Sequence, residues 1–329
     1  MIRATARLHA FCLILSLLLT APGCESEEMG PASLDINDVQ ENDSSSAIPL
    51  GAETISSQHN ETQPTETEDP TESVFKLDRV LHVDVEIDPD DWDELRKASR
   101  TFEDILFADP CPGPPNQIFE YFPAKVTVDG ATFENVGIRK KGFFGSLSDT
   151  KPSLKIKFSE YEEDLEFEGM ERLTLNNSQQ DPSYLNTCLT YRLFAAANYP
   201  APRCNFAHLT VNGEELGVYV HVESMKKDFL RRNFENPDGN LYEGTLSDFS
   251  EEWRGSFQKK TNKEEADWSD IDAAVAAVKL IDIYGTDAIK SVFDLDQFLT
   301  FWALEVLVAH WDGYAGNHNN FYIYRDPAS

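Results

Sequence analysis

Basic residues are scarce in this chain of 329 residues: 28 Lys and Arg stand against 58 Asp and Glu, a net charge of −30 at neutral pH. So acidic a surface repels nucleic acid and anionic lipid unless a local basic patch intervenes, so nucleic acid is not an expected partner. Long apolar runs are missing too. The uncharged stretch Phe11–Thr20 (FCLILSLLLT) suits the core of a secretion signal and is too short to span a bilayer, and no later stretch is apolar enough to cross a membrane. Cysteine is sparse, five residues in all, and no Cys or His spacing matches a zinc site. There is no P-loop, no G-x-G-x-x-G and no internal repeat, so the common nucleotide-binding signatures are absent.

What is there begins with a leader. Arg3 and Arg7 precede the apolar run, and Ala21-Pro22-Gly23-Cys24 follows it, which resembles a bacterial lipobox with Cys24 as the lipidated residue. A plain signal-peptidase site is the alternative. Residues 1–24 are therefore expected to be a lipoprotein signal peptide, and the protein to be exported, touching a membrane through a lipid anchor only. Residues 25–74 carry thirteen Asp and Glu and no Lys or Arg, with apolar residues scattered singly. Such a segment cannot bury enough apolar surface to offset its ordering entropy, and it reads as a disordered acidic linker. With leader and linker set aside, 45 acids and 26 bases remain from Phe75 onward, near −19. Cys188 and Cys204, with fifteen residues between them, are the preferred disulfide in an exported chain, which leaves Cys111 unpaired.

Strand patterns fill the first half of residues 75–329. Leu81, Val83, Val85 and Ile87 alternate with His82, Asp84 and Glu86, and Asp88-Pro89 then opens a helix running to about Ser99. PAKVTVDG, VGIRKKG, SLKIKF and RLTLNN follow as further strands. Residues 182–198 have helical spacing, and FAHLTVNGEELGVYVHVES is a hairpin turning on Asn212-Gly213. Helices dominate after Met225, ending with a buried apolar one from about Leu295 to Ala309 and a last strand, NFYIYRD. Strands gathered before helices predict an α+β fold with a strand-rich and a helix-rich lobe.

Two constellations carry chemistry. In HWDGYAGNHNN, Asp312 is followed five residues later by Asn317, on a short loop between helix and strand. Kinases use that arrangement, a carboxylate to orient the attacking hydroxyl and accept its proton, an amide oxygen to help hold a divalent metal. An ordinary turn rich in Asn, Asp and Gly is the competing reading. The second constellation is basic. Arg139 and Lys141 share one strand face, Lys155 and Lys157 another, and four cations on neighbouring strands read as a polyphosphate cradle or as a solvated sheet face. Gly142–Ser146 offers backbone N–H groups beside them. Glu223, ending YVHVES, is placed to orient a lysine or nucleotide, or to cap the helix starting near Met225.

Taken in order, GIRKKG, KPSLKIKF, LTLNN with Asp181-Pro182-Ser183, VNGEELGVYVHVE and D-x-x-x-x-N-x-N-N-F-Y-I-Y resemble the CotH (spore coat protein H) family, from about Val80 to Asp326. The resemblance implies a divergent, two-lobed protein-kinase-like fold that uses ATP and Mg²⁺ or Mn²⁺ to phosphorylate Ser or Thr of proteins outside the cytoplasm. It makes Asp312 the catalytic aspartate and Asn317 the metal-binding asparagine, and it sets the cations of GIRKKG and KPSLKIKF, Arg139, Lys141 and Lys155 among them, in the phosphate-facing part of the small lobe without fixing which lysine pairs with phosphate. Other relatives are surface or adhesion proteins, so a catalytically inactive anchored binding protein is the alternative function. The family continues past N-F-Y-I-Y to a W-D-x-D element that supplies a further metal-binding acid, and the expectation is that this chain stops short of it.

Overall fold

The computed structural model describes residues 69–101 and 118–328. The leader, Cys24, most of the acidic linker and Cys111 lie outside them. The fold is α+β. Seven strands form a closed sheet: β1 (Val80–Ile87), β2 (Phe122–Val128), β3 (Ala131–Lys141), β4 (Ser153–Lys157), β5 (Arg172–Asn176), β6 (Cys204–Val211) and β7 (Glu214–Val222). Their order is β1-β2-β3-β4-β5-β7-β6, and β1 closes the circle by running parallel to β6, with His82 beside His208. The alternation read from β1 is real: Leu81, Val83, Val85 and Ile87 point into the barrel with Val126, Ile138, Ile156, Leu173 and Leu209.

Turn chemistry fixes the registers. Asn212 and Gly213 adopt φ of 50° and 80°, the left-handed pair that a two-residue hairpin needs. The Asn212 side chain also bonds the N–H and the C=O of Ile87, each at 2.9 Å, and so welds the hairpin tip to the end of β1. Asp88 caps α1 (Pro89–Lys97) through the N–H of Asp90, and the helix ends two residues before the expected Ser99. Lys140 explains that stop. It is buried, and its ammonium takes the carbonyls of Arg96 and, at 2.6 Å, Ala98, orphan acceptors at the helix end.

Three expectations need correction. Residues inside the segment read as linker are packed, because Thr71 and Val74 are buried with Phe75, Val74 in the barrel core. Composition averaged over fifty residues hides one short hydrophobic anchor at its end. Helices do dominate after Met225 and the expected last strand is there, but two further strands are added. β8 (Asn240–Gly244), β9 (Phe257–Lys259) and β10 (Phe321–Arg325) form a second sheet in the order β10-β8-β9. Tyr242, Phe257 and Phe321 of that sheet pack with Ile271, Ala274 and Val275 of α4 (Ser269–Lys279). Third, α5 (Leu295–Leu307) is not a buried helix. Only Leu304 and Glu305 on it are buried, while Trp302, Val306 and Leu307 are 43%, 65% and 70% exposed. Apolar composition all round a helix does not choose which side is covered.

Cys188, on α2 (Asn186–Ala196), and Cys204, opening β6, are joined by a disulfide with their Cα atoms 5.3 Å apart. Among the described residues no helix is long and apolar enough to cross a membrane.

The barrel also holds a titratable core group. His221 is 1% exposed and stacks on Phe75 at 4.8 Å. Its Nδ1 meets Asn205 Oδ1 at 2.8 Å, while Nε2 has no partner. Burial, with Arg203 nearby, pushes its pKa down to about 3. As pH falls below the ordinary value near 6.5, the unfolded chain takes up a proton that the folded one refuses, so stability should drop by about 1.4 kcal/mol per pH unit from this group. Urea unfolding at stepped pH should show that slope shrink in His221→Gln. An unchanged slope would mean that the imidazole does not control acid sensitivity.

Candidate functional site

The cationic face predicted on β3 and β4 exists. Arg139 lies directly opposite Lys155 across the ladder, and Lys141 opposite Ser153. The Arg139 guanidinium sits 5.3 Å from the centre of the Tyr121 ring, and Lys141 bonds the side-chain oxygen of Asn176 on β5. Lys157 does not join the group. It stands opposite Gly137 and its ammonium is spent on Glu160 at 2.8 Å. The Gly142–Ser146 loop uses part of its own bonding capacity, since the Phe143 N–H donates to Ser146 Oγ and the Ser146 N–H to the Phe143 carbonyl.

Groups that sequence patterns had not marked complete the face. Glu243 on β8 accepts from the Tyr322 hydroxyl of β10 at 2.8 Å and pairs with Lys260, just past β9. Lys260 also reaches Gln258 at 3.0 Å, and Lys226 donates to the Lys260 carbonyl at 2.9 Å. Lys155 thus lies in the field of Arg139, Lys141, Arg172 and Lys260. Burial first, then Arg139, pull Lys155 down to about 7 and Lys141 down to about 8. Burial, then Lys260, pull Lys226 down to about 8. Against the cost of its own burial, Lys260 still holds Glu243 below the usual carboxylate range. Half-buried cations outnumber the carboxylate among them, which makes the local potential positive in an otherwise acidic protein.

The second part of the site follows α5. Asp312 Oδ1 accepts from the side-chain amides of Asn317 at 2.9 Å and Asn319 at 3.2 Å, and its Oδ2 from Asn320 at 3.1 Å. Asn317 ends a single turn, α6 (Tyr314–Asn317), and His318 then takes a left-handed φ of 49° that turns the chain into β10. The Ser247 N–H bonds the His318 carbonyl at 2.8 Å, and Asn319 accepts from Leu246, which ties the loop to the end of β8. Asp312 and Asn317 therefore meet as the spacing predicted. β8 and β10 carry both this loop and the Glu243–Tyr322 pair that faces the lysines.

Glu305 was not marked by the sequence reading, yet it is 2% exposed beneath this loop. Its carboxylate meets His310 Nδ1 at 3.1 Å and the backbone N–H groups of Tyr314 at 3.2 Å and Ala315 at 2.8 Å. The one available signal was an acid inside the otherwise apolar run FWALEVLVA. Gly313 packs so close that a Cβ there would fall 2.1 Å from Glu305 Oε1, so any side chain at this position would have to push the carboxylate aside.

Glu223 shares a pocket with Arg172 and Lys226 but is committed to two other arginines. Both its oxygens are taken, by Arg203 at 2.7 Å and by Arg232, and the Arg203 N–H adds a bond at 2.9 Å. It joins the end of β7 to the strand start at β6 and to α3 (Lys227–Asn233), and it does not cap that helix. Among the described residues no group of three or more His, Cys, Asp or Glu is arranged to hold a metal.

A strand-borne group of cations and an Asp-Asn loop leading into β10 are thus the two features of the site. Residues 138–329, more than half of the chain, match the model of the CotH kinase protein family, and the chain belongs to that family. It is 27% identical over 172 residues to inner spore coat protein H of Bacillus subtilis, an alignment that covers 48% of this chain and 46% of that one. Over 170 residues it is 27% identical to invasin CotH2 of Rhizopus delemar, covering 47% of this chain and 29% of the relative. The chain thus spans less than half the length of these curated relatives.

Proposed function

We propose that the protein is an exported, ATP-dependent protein kinase of two-lobed, kinase-like build. The barrel serves as the small lobe, and the β8–β10 sheet with its helices as the start of the large one. The observation that carries this reading is the Glu243–Tyr322 pair, which lies in the field of Lys155 on β4 and is borne by β8 and β10, the two strands that also hold the Asp312–Asn317 loop. Arg139, Lys141 and Lys155 clamp the triphosphate and stabilise charge as it shifts toward the leaving group. Asp312 orients a Ser or Thr hydroxyl and takes its proton as the new O–P bond forms at the γ-phosphorus. The bond to the β,γ-bridging oxygen breaks and ADP leaves. The side-chain oxygen of Asn317, whose amide N–H is spent on Asp312, is the ligand this chain offers to Mg²⁺ or Mn²⁺. That ion, when bound, neutralises phosphate charge. Glu223 has no part in this scheme.

Export, anchoring through Cys24 and an address in the cell envelope or beyond it agree with relatives named for a spore coat and for invasion. Those names also favour a second reading, an anchored coat or adhesion protein without chemistry. Thermal unfolding of the full natural chain with ATP, with and without Mg²⁺ or Mn²⁺, separates the two. ATP at a hundred times its Kd should add about 2.7 kcal/mol of stability. That gain should vanish in the Arg139→Ala, Lys155→Ala double variant. A melting temperature indifferent to millimolar ATP would leave the binding protein as the better description.

A further inference from the structure

We propose that Glu305 is the positioning residue that holds the Asp312 loop in the geometry transfer requires, an inference that rests on the kinase reading of that loop. A carboxylate withdrawn from water costs several kcal/mol unless its oxygens are satisfied. At Glu305 the satisfying groups all come from one short segment. His310 stands two residues before Asp312, and Tyr314 and Ala315 stand two and three residues after it. Among the described residues the ion-pair partner of Glu305 is His310, and no Lys or Arg pairs with it.

The carboxylate therefore grips the loop on both sides of Asp312 from a rigid helix, with charge-assisted bonds to backbone and imidazole. It also fixes His310 as a donor at Nδ1. Gly313, next to Asp312, rests against Oε1, so a methyl group there would have to push the carboxylate aside. Gly316 is equally tight, with a Cβ there falling 2.2 Å from the Trp311 carbonyl. Asp312 is thus held from beneath by Glu305 and from the side by three asparagine amides. The first contact sets where the backbone lies, and the second sets how the carboxylate is turned. Glu305 touches no reacting atom in this arrangement. Its effect passes through the loop.

The test uses the full natural chain with Glu305→Gln, which keeps the size but faces the Tyr314 and Ala315 N–H groups with an uncharged amide. Glu305→Asp, which keeps the charge one methylene short, is its companion. In Glu305→Gln, kcat should fall by about 10²-fold, the scale of an ångström-size misplacement, while KM for ATP stays unchanged. Amide hydrogen exchange at residues 314 and 315 should quicken in the same variant, and Glu305→Asp should recover part of both effects. A variant that merely melts earlier, with kcat per folded molecule and exchange at 314 and 315 as in the parent, overturns the proposal. If the parent protein transfers no phosphate at all, the kinase reading fails by itself. Exchange at 314 and 315 then decides alone whether Glu305 holds the loop.

Discussion

Asp312→Ala is expected to cut phosphate transfer by about 10³-fold, within the range that a positioned general base contributes. Two losses combine. No carboxylate remains to orient the hydroxyl or take its proton, and the amides of Asn317, Asn319 and Asn320 lose their common acceptor. Asn319 is buried, so its orphaned amide should cost stability of about 1–3 kcal/mol. That is small enough to leave a folded protein yet large enough to confuse an activity assay. Asp312→Asn separates the two losses. It preserves one acceptor oxygen for Asn317 and Asn319, sets an amide against Asn320, and removes the base. Both variants should bind ATP as the parent does, because Asp312 touches none of the clamp cations. Radiolabel transfer measured per folded molecule, with ATP binding followed separately, checks this. Transfer within tenfold of the parent in Asp312→Asn would deny Asp312 the role of base.

The barrel was legible because its information is local. Period-two alternation, the Asn212-Gly213 turn and the Asp88-Pro89 cap each sit within a few residues and agree with one another. The Asp312–Asn317 contact was legible for the same reason, being one turn of chain. The rest of the site was not. Glu243 and Lys260 matter through Lys155, which lies more than eighty residues earlier in sequence, and Lys226 matters through its bond to the Lys260 carbonyl. β8 and β9, five and three residues long, are too short for periodicity to separate from loops. Glu223 shows the opposite error. An acid at a strand end beside a basic motif invites a functional reading, but two arginines with no motif of their own claim it. Glu305 lies between these cases. A lone acid in an apolar helix can mark a buried, committed carboxylate, and only the packing says to what it is committed.

The lysines supply the second large effect, one of opposite sign for stability and for binding. Lys155 and Lys141 have folded pKa values of about 7 and about 8, both below the ordinary lysine range. The unfolded chain therefore binds more protons than the folded one above pH 7, so these two groups make the free protein more stable as pH rises from 7 to 9. A triphosphate reverses the local balance, because it favours the ammonium form and pulls both pKa values back up. Binding must then take up protons, and affinity for ATP should fall as pH rises over the same interval. With about one proton taken up on average between pH 7 and pH 8, Kd should increase by about 10-fold over that unit, each proton being worth tenfold per pH unit. Calorimetry in two buffers of different ionisation enthalpy at pH 8 counts those protons directly. Lys155→Arg, which stays charged throughout, should flatten the profile and bind ATP more tightly than the parent at pH 9. If ATP binds without proton uptake and with the same Kd at pH 7 and pH 9, the phosphates do not sit among these lysines. The clamp must then be sought on the other side of the Asp312 loop.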